Sequence, residues 1–151
     1  MSAETLIAQA RLALKDVPRM RLGTLVVPRR ILAIARAPRI TPTGEAWHLG
    51  VLLVGEHEVW STGDIVRAHD EVRRGYTAES QRERAALAAA AFRGGFAEGE
   101  SVHLGWRPIN LAAPDEPLAL IEGVPHVRWS TAGGYRPLDE YLRERISLAI
   151  G

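Results

Sequence analysis

The sequence predicts an α+β fold, a mostly antiparallel sheet of about six strands with about three helices. Three observations carry that reading. Two pairs of apolar segments flank short turn-like stretches and read as β-hairpins. Three stretches repeat their apolar residues every three or four positions, as amphipathic helices do. No regular β-α-β alternation connects them, which argues against a parallel sheet. With 151 residues, 46% of them hydrophobic, the chain is long enough for one globular domain spanning 1–151.

The first helix is expected over residues 3–16. Ser2 is placed to cap it, Leu6, Ala10, Leu14 and Val17 share one face, and Pro18 ends it. Residues 31–37 read as a strand between Pro28 and Pro38. Residues 47–54 are almost continuously apolar, as in a central or doubly buried strand. Gly55-Glu56 then turns the chain, and residues 59–62 return as the hairpin partner. Residues 65–74 read in two ways. Asp64 would cap a short helix ended by Gly75, or the β-branched pair Ile65-Val66 would continue a strand to Ala68; the second is slightly favoured.

Ser80-Gln81-Arg82-Glu83 has the pattern of a capping box, and the alanine-rich run after it to Phe92 is the clearest helix, ended by Gly94-Gly95. Residues 101–106 read as a strand that Pro108 ends or pushes to an edge. Residues 118–122 and 126–130 flank Gly123-Val124-Pro125 as a second hairpin, and Pro137 opens a last helix carrying Leu138, Leu142, Ile146 and Ala149 on one side.

An internal repeat would relate the two hairpins. His57-Glu58-Val59-Trp60-Ser61-Thr62 matches His126-Val127-Arg128-Trp129-Ser130-Thr131 at an offset of 69 residues, and 8 of the 18 positions from 57 to 74 are identical. The repeat requires a helix near 65–74, so a strand through Ile65-Val66 would refute its helical part.

Composition excludes several chemistries. There is no cysteine, hence no disulfide, thiol nucleophile, iron–sulfur cluster or thiolate zinc site. Lys15 is the single lysine and follows no glycine-rich loop, so no phosphate-binding P-loop exists. The glycine-rich dinucleotide fingerprint, the nucleophile-elbow serine and the H-E-x-x-H zinc motif are all missing, and no cofactor is expected. No apolar run reaches the about 18 residues of a membrane span, and the N-terminus lacks the pattern of a secretory signal. A cytoplasmic protein with no membrane partner is the expectation.

The five histidines, His48, His57, His69, His103 and His126, contain no pair two to four residues apart, so no local metal chelate is expected and the metal assignment is none. The carboxylate pairs Asp70/Glu71, Asp115/Glu116 and Asp139/Glu140 are adjacent rather than facing, which suits solvated turns better than acid–base catalysis. Ser61 and Ser130 each lie a few residues from a histidine, but nothing supplies the third group of a triad. No catalytic residue is assigned.

Two groups are candidate binding residues. The four tryptophans, Trp47, Trp60, Trp106 and Trp129, all fall in expected strands. They are either core or, in the functional reading, a shared aromatic pocket represented by Trp60 and Trp129. The loop with Gly133, Gly134 and Arg136 precedes a helix and would offer N–H groups to an anion, or is a plain connector. The second group is a basic stretch. Residues 17–44 hold six arginines and no acid, giving +6 against −5 for the remainder of a chain whose net charge is +1. Arg29, Arg30, Arg36 and Arg39 are its candidate polyanion-binding residues. The stretch has no aromatic residue, so it suits a phosphate or carboxylate clamp better than a base reader. The competing account pairs these arginines within the chain, with Arg36 in a strand facing a cross-strand acid.

Phe92-Arg93-Gly94-Gly95-Phe96-Ala97-Glu98-Gly99-Glu100, taken with Trp60-Ser61-Thr62-Gly63-Asp64, resembles a family of uncharacterised actinobacterial proteins. The resemblance runs from about residue 29 to 130 and implies no activity, so no functional residue is carried over. The first expectation for function is a non-catalytic interaction or assembly domain, forming a homo-oligomer through the helix at 82–91. The alternatives are a small-molecule-binding protein or unrecognised enzyme with a pocket between sheet and helices, and polyanion binding through residues 17–44.

Overall fold

The computed structural model describes residues 1–28, 36–70 and 78–151. Among these described residues, three helices and ten strands follow in the order α1 (Ala3–Leu14), β1 (Met20–Val26), β2 (Arg39–Leu49), β3 (Leu52–Val54), β4 (Val59–Ser61), β5 (Asp64–Arg67), α2 (Glu79–Arg93), β6 (Ser101–Leu104), β7 (Arg107–Pro108), β8 (Leu118–Ile121), β9 (Val124–Arg128), β10 (Tyr135–Pro137) and α3 (Leu138–Ile150). The class is α+β. The sheet differs from the expected one: seven strands run in the order β5-β6-β1-β2-β3-β4-β7, and a separate three-stranded sheet runs β10-β9-β8. The larger sheet is mixed, because β1 and β6 are parallel with Leu22 beside His103. The chain divides into two compact units, each assembled from separate stretches of sequence.

One unit comprises Met1–Arg19, Glu45–Thr62 and Trp106–Gly151. Ser2 caps α1 as expected, its side chain accepting from the Thr5 N–H at 3.2 Å. Leu6, Ile7, Ala10 and Leu14 of α1 are buried with Leu138, Tyr141 and Leu142 of α3, Leu49 and Leu52 of the sheet, and Leu118 and Val127 of the smaller sheet. The apolar run 47–54 is not one strand. It folds back at Gly50-Val51, so that Leu49 faces Leu52 across a two-residue hairpin. Gly50 makes this possible with φ of +66°, and Tyr141 closes the turn. Its hydroxyl donates to the Leu49 carbonyl at 2.9 Å and accepts from the Val51 N–H at 2.8 Å. A Cβ on Gly50 would meet that hydroxyl at 1.9 Å. β3 and β4 form the expected hairpin, with Leu53 opposite Trp60. β8 and β9 form the second, but it turns at Glu122-Gly123, both with positive φ, two residues before the expected Pro125. Pro137 opens α3, and Pro108 lies in β7 at the sheet's edge.

The other unit comprises Met20–Gly44 and Gly63–Gly105. Its core is Ile40, Val66, Ala68, Ala90, Ala91, Phe96, Val102 and Leu104. Residues 64–67 form β5, paired antiparallel with β6, so the favoured strand reading holds and the helical part of the internal repeat fails. The capping box also fails: α2 starts at Glu79 with Ala78 at the cap and no side-chain cap bond, leaving Ser80 inside the first turn. Gly94 sits against the β2 backbone, where a Cβ would lie 1.7 Å from the Ile40 carbonyl oxygen. The expected strand at 31–37 falls largely outside the described residues; Arg36 and Ala37 are not in a strand. β1 and the first half of β2 carry the strand structure instead.

Candidate functional site

An open cleft of about 490 Å³ lies within the first unit. It is built from three local features. The first is the start of α1, where Glu4 stands in the first turn beside the Ser2 cap, a place where the helix dipole favours a carboxylate.

The second is the β3–β4 turn. Gly55 N–H donates to the Glu58 carbonyl at 2.8 Å. Arg11 of α1 reaches over the turn, donating from Nε to the Gly55 carbonyl at 2.8 Å and from a terminal nitrogen to the Glu58 carbonyl at 3.3 Å. Partial burial pulls the Arg11 pKa below its ordinary value, without threatening its charge. The clamped turn presents His57 and Glu58 to the cleft, and Trp60 follows two residues later. The Trp60 six-membered ring occupies the space a Cβ on Gly55 would need, 2.7 Å from the nearest ring carbon.

The third feature is the entry to β7. Trp60 pairs with Pro108 and Ser61 with Arg107, and the Ile109 N–H donates to the Val59 carbonyl at 2.9 Å. Trp106 precedes this strand and meets Trp60 edge to face, with ring centroids 5.5 Å apart and planes at 64°. Beyond β7, the Asn110 side-chain oxygen accepts from the Ala112 N–H at 3.0 Å and fixes the loop. Val59, Pro108, Ile109, Leu111 and Ala112 supply the apolar lining, and Glu4, His57, Glu58 and Asn110 the polar one. Among the described residues, neither lysine nor arginine lines the cleft.

Of the residues singled out from sequence, Trp60, Trp106 and His57 line this cleft. Trp129 does not; it is 46% exposed and packs against Gly133. In that loop the Gly133 N–H is already used, donating to Ser130 Oγ at 2.6 Å. Arg136 is held by Glu144 at 2.6 Å and lies 5.9 Å from the Tyr141 ring centre. Trp129, Gly133, Gly134 and Arg136 therefore form the turn into β10 and α3 rather than part of the tryptophan cleft. Trp47 is nearly buried, its indole N–H donating to the Val17 carbonyl at 2.7 Å. Glu4 and Asn110 belong to the cleft without having stood out in sequence, since single polar residues at a helix start and after a two-residue strand carry no pattern.

The histidines are dispersed. His48 Nε2 donates to the Gly50 carbonyl at 2.9 Å and His126 Nδ1 to the Val124 carbonyl at 2.8 Å. His103 is buried in β6, its Nε2 3.4 Å from Met20 Sδ. His69 Nδ1 donates to the Glu98 carboxylate. The Asp70 N–H and the His69 side chain, in that order, hold the Glu98 carboxyl below the usual carboxylate range. Among the described residues, no three histidine, aspartate or glutamate side chains are grouped to hold a metal ion.

The basic stretch separates into paired and unpaired members. Arg21 grips Glu100 with two bonds of 2.7 Å and lies 4.6 Å from the Phe96 ring centre. Arg19 lies 5.1 Å from the Trp47 ring centre and 4.0 Å from Glu56. Arg36 and Arg39 are exposed, with no ion pair among the described residues, and Arg36 lies outside the strand that was expected to carry it. Arg29 and Arg30 lie outside the described residues.

Fold and site together define an α+β protein with a tryptophan-lined, acid-rimmed cleft. Comparison of the chain with protein-family models, curated proteins and solved structures gave no match. Among the described residues, no helix is long and apolar enough to cross a membrane.

Proposed function

We propose that this chain is a small-molecule-binding protein whose site is the cleft between the start of α1, the β3–β4 turn and the β7 entry. One observation carries the reading: Trp60 and Trp106 meet at 5.5 Å on a cleft of about 490 Å³ that also has several polar groups at hand. A concave, mostly apolar site of about 300–1,000 Å³ with a few placed polar groups is the usual form of a small-ligand pocket. The pair belongs to a rigid frame, because Arg11, Gly55 and the β4–β7 pairing fix the walls. Replacing Trp106 with alanine removes one wall without touching the α1–α3 core. The expected result is loss of fragment binding, followed by intrinsic fluorescence, with the unfolding midpoint little changed. Unaltered binding in that variant would overturn the proposal.

The exposed Arg36 and Arg39 favour a second reading, contact with a polyanion. Their unit carries 11 basic and 7 acidic side chains. Self-assembly through α2 remains a separate proposal; its buried residues, Ala89, Ala90 and Ala91, lie at the end of the helix, and two of them already pack in their own unit's core. A sedimentation mass that rises with concentration would support assembly, and a monomer at high concentration would overturn it.

A further inference from the structure

We infer that the ligand of the tryptophan cleft is a small organic cation, an ammonium group on a short apolar body. This rests on the cleft being a binding site and adds the ligand's charge. The aromatic walls give the first reason. Trp60 and Trp106 stand at 64° to one another with centroids 5.5 Å apart, so they form a corner rather than a flat stack. The negative quadrupole of an indole face attracts a cation within about 6 Å, most strongly where water is displaced.

The charges give the second. Two carboxylates, Glu4 and Glu58, line the same cleft, and among the described residues no lysine or arginine does. Arg11, beside the turn, donates from Nε to the Gly55 carbonyl and from one terminal nitrogen to the Glu58 carbonyl, and it is not among the described residues that line the cleft. The unit as a whole carries 8 basic and 11 acidic side chains, so its wider field has the same sign. Among the described lining residues, an anion would meet Glu4 and Glu58 with no lysine or arginine to offset them. A neutral ligand would leave both carboxylates unused.

The lining gives the third. Ile109 and Leu111 offer apolar surface to the carbon skeleton, while the Asn110 oxygen is occupied by the Ala112 N–H. The cleft's volume suits a small molecule.

The test uses the full chain and two soluble probes of nearly equal shape, choline and its uncharged analogue 3,3-dimethylbutan-1-ol. Binding is read from the indole N–H resonances of Trp60 and Trp106, assigned by single replacement. Choline is expected to shift both resonances saturably, with affinity at least about tenfold above that of the neutral analogue. Glu58→Gln and Glu4→Gln, both at exposed positions, are expected to weaken choline several-fold and leave the analogue unchanged. Equal binding of the two probes, or tighter binding of the alcohol, would overturn the cationic ligand and leave the cleft standing as a binding site. Failure of choline to move either indole also overturns the cation. The cleft itself then falls only if uncharged fragments fail at Trp60 and Trp106 as well.

Discussion

Tyr141 shows how much of a turn one residue holds. Its hydroxyl satisfies the Leu49 carbonyl and the Val51 N–H of the β2–β3 turn together, and its ring belongs to the core between α1 and α3. Tyr141→Phe keeps the ring and removes both bonds. The expected cost is about 1–3 kcal/mol, measured by urea unfolding, because the Leu49 carbonyl is left without that donor in a buried place. Nothing local in the sequence joins Tyr141 to Leu49, 92 residues away. The Arg21–Glu100 pair is equally long-range, and from composition Arg21 was visible only as part of a basic stretch. Arg21 is the main cause that holds the Glu100 carboxyl below the ordinary carboxylate value of 4.5. A depressed folded value means the pair's stabilisation is whole above the unfolded value and is lost as pH falls through the folded one. Glu100→Gln is therefore expected to be less stable than the parent near pH 7, with the gap narrowing at acid pH. A gap that widened on acidification would contradict this assignment. The pair is partly exposed, so the whole effect is modest.

Elements that end in strong chemical signals were legible, and elements that end in close approaches were not. Ser2 caps α1 through a real side-chain bond, whereas Ser80 matches the same motif yet makes no cap bond because α2 begins one residue before it. Ser2→Ala is expected to cost about 1 kcal/mol and Ser80→Ala to stay within about 0.5 kcal/mol, compared in paired thermal unfolding. Equal losses would show that Ser80 caps α2 after all. The run 47–54 reads as a single strand because its apolar residues are continuous. The break at Gly50 follows from the Tyr141 hydroxyl, which only the packed α3 supplies. β7 and β10, two and three residues long, are too short for an alternating pattern to appear. The strand through Ile65-Val66 was legible because both residues are β-branched.

At the scale of the whole chain, charge asymmetry was readable and its destination only partly so. Arg19 and Arg21 of the basic stretch find partners inside their own units, while Arg36 and Arg39 stay unpaired among the described residues. If those two serve a polyanion, heparin retention falls steeply with added salt, and Arg36→Glu with Arg39→Glu abolishes it while preserving the fold. Retention unchanged by the double replacement would remove them from any such surface. The candidate cleft was half legible. The expectation of four tryptophans in strands holds for Trp47 and Trp60 but not for Trp106 and Trp129, which lie just outside strands, and Trp60 finds Trp106 and not Trp129, since the β4–β7 pairing places the entry of β7 beside β4. That pairing depends on two residues, Arg107 and Pro108, and leaves no trace in periodicity.

Whether the Trp60–Trp106 cleft binds a small molecule is read from the four indole N–H resonances of the full chain. Titration with a fragment set of charged and neutral amphiphiles is expected to move the Trp60 and Trp106 signals together and saturably, and to leave the exposed Trp129 in place. Saturable shifts at Trp129 with Trp60 and Trp106 silent, or no saturable shift at either cleft tryptophan, would contradict binding in this cleft.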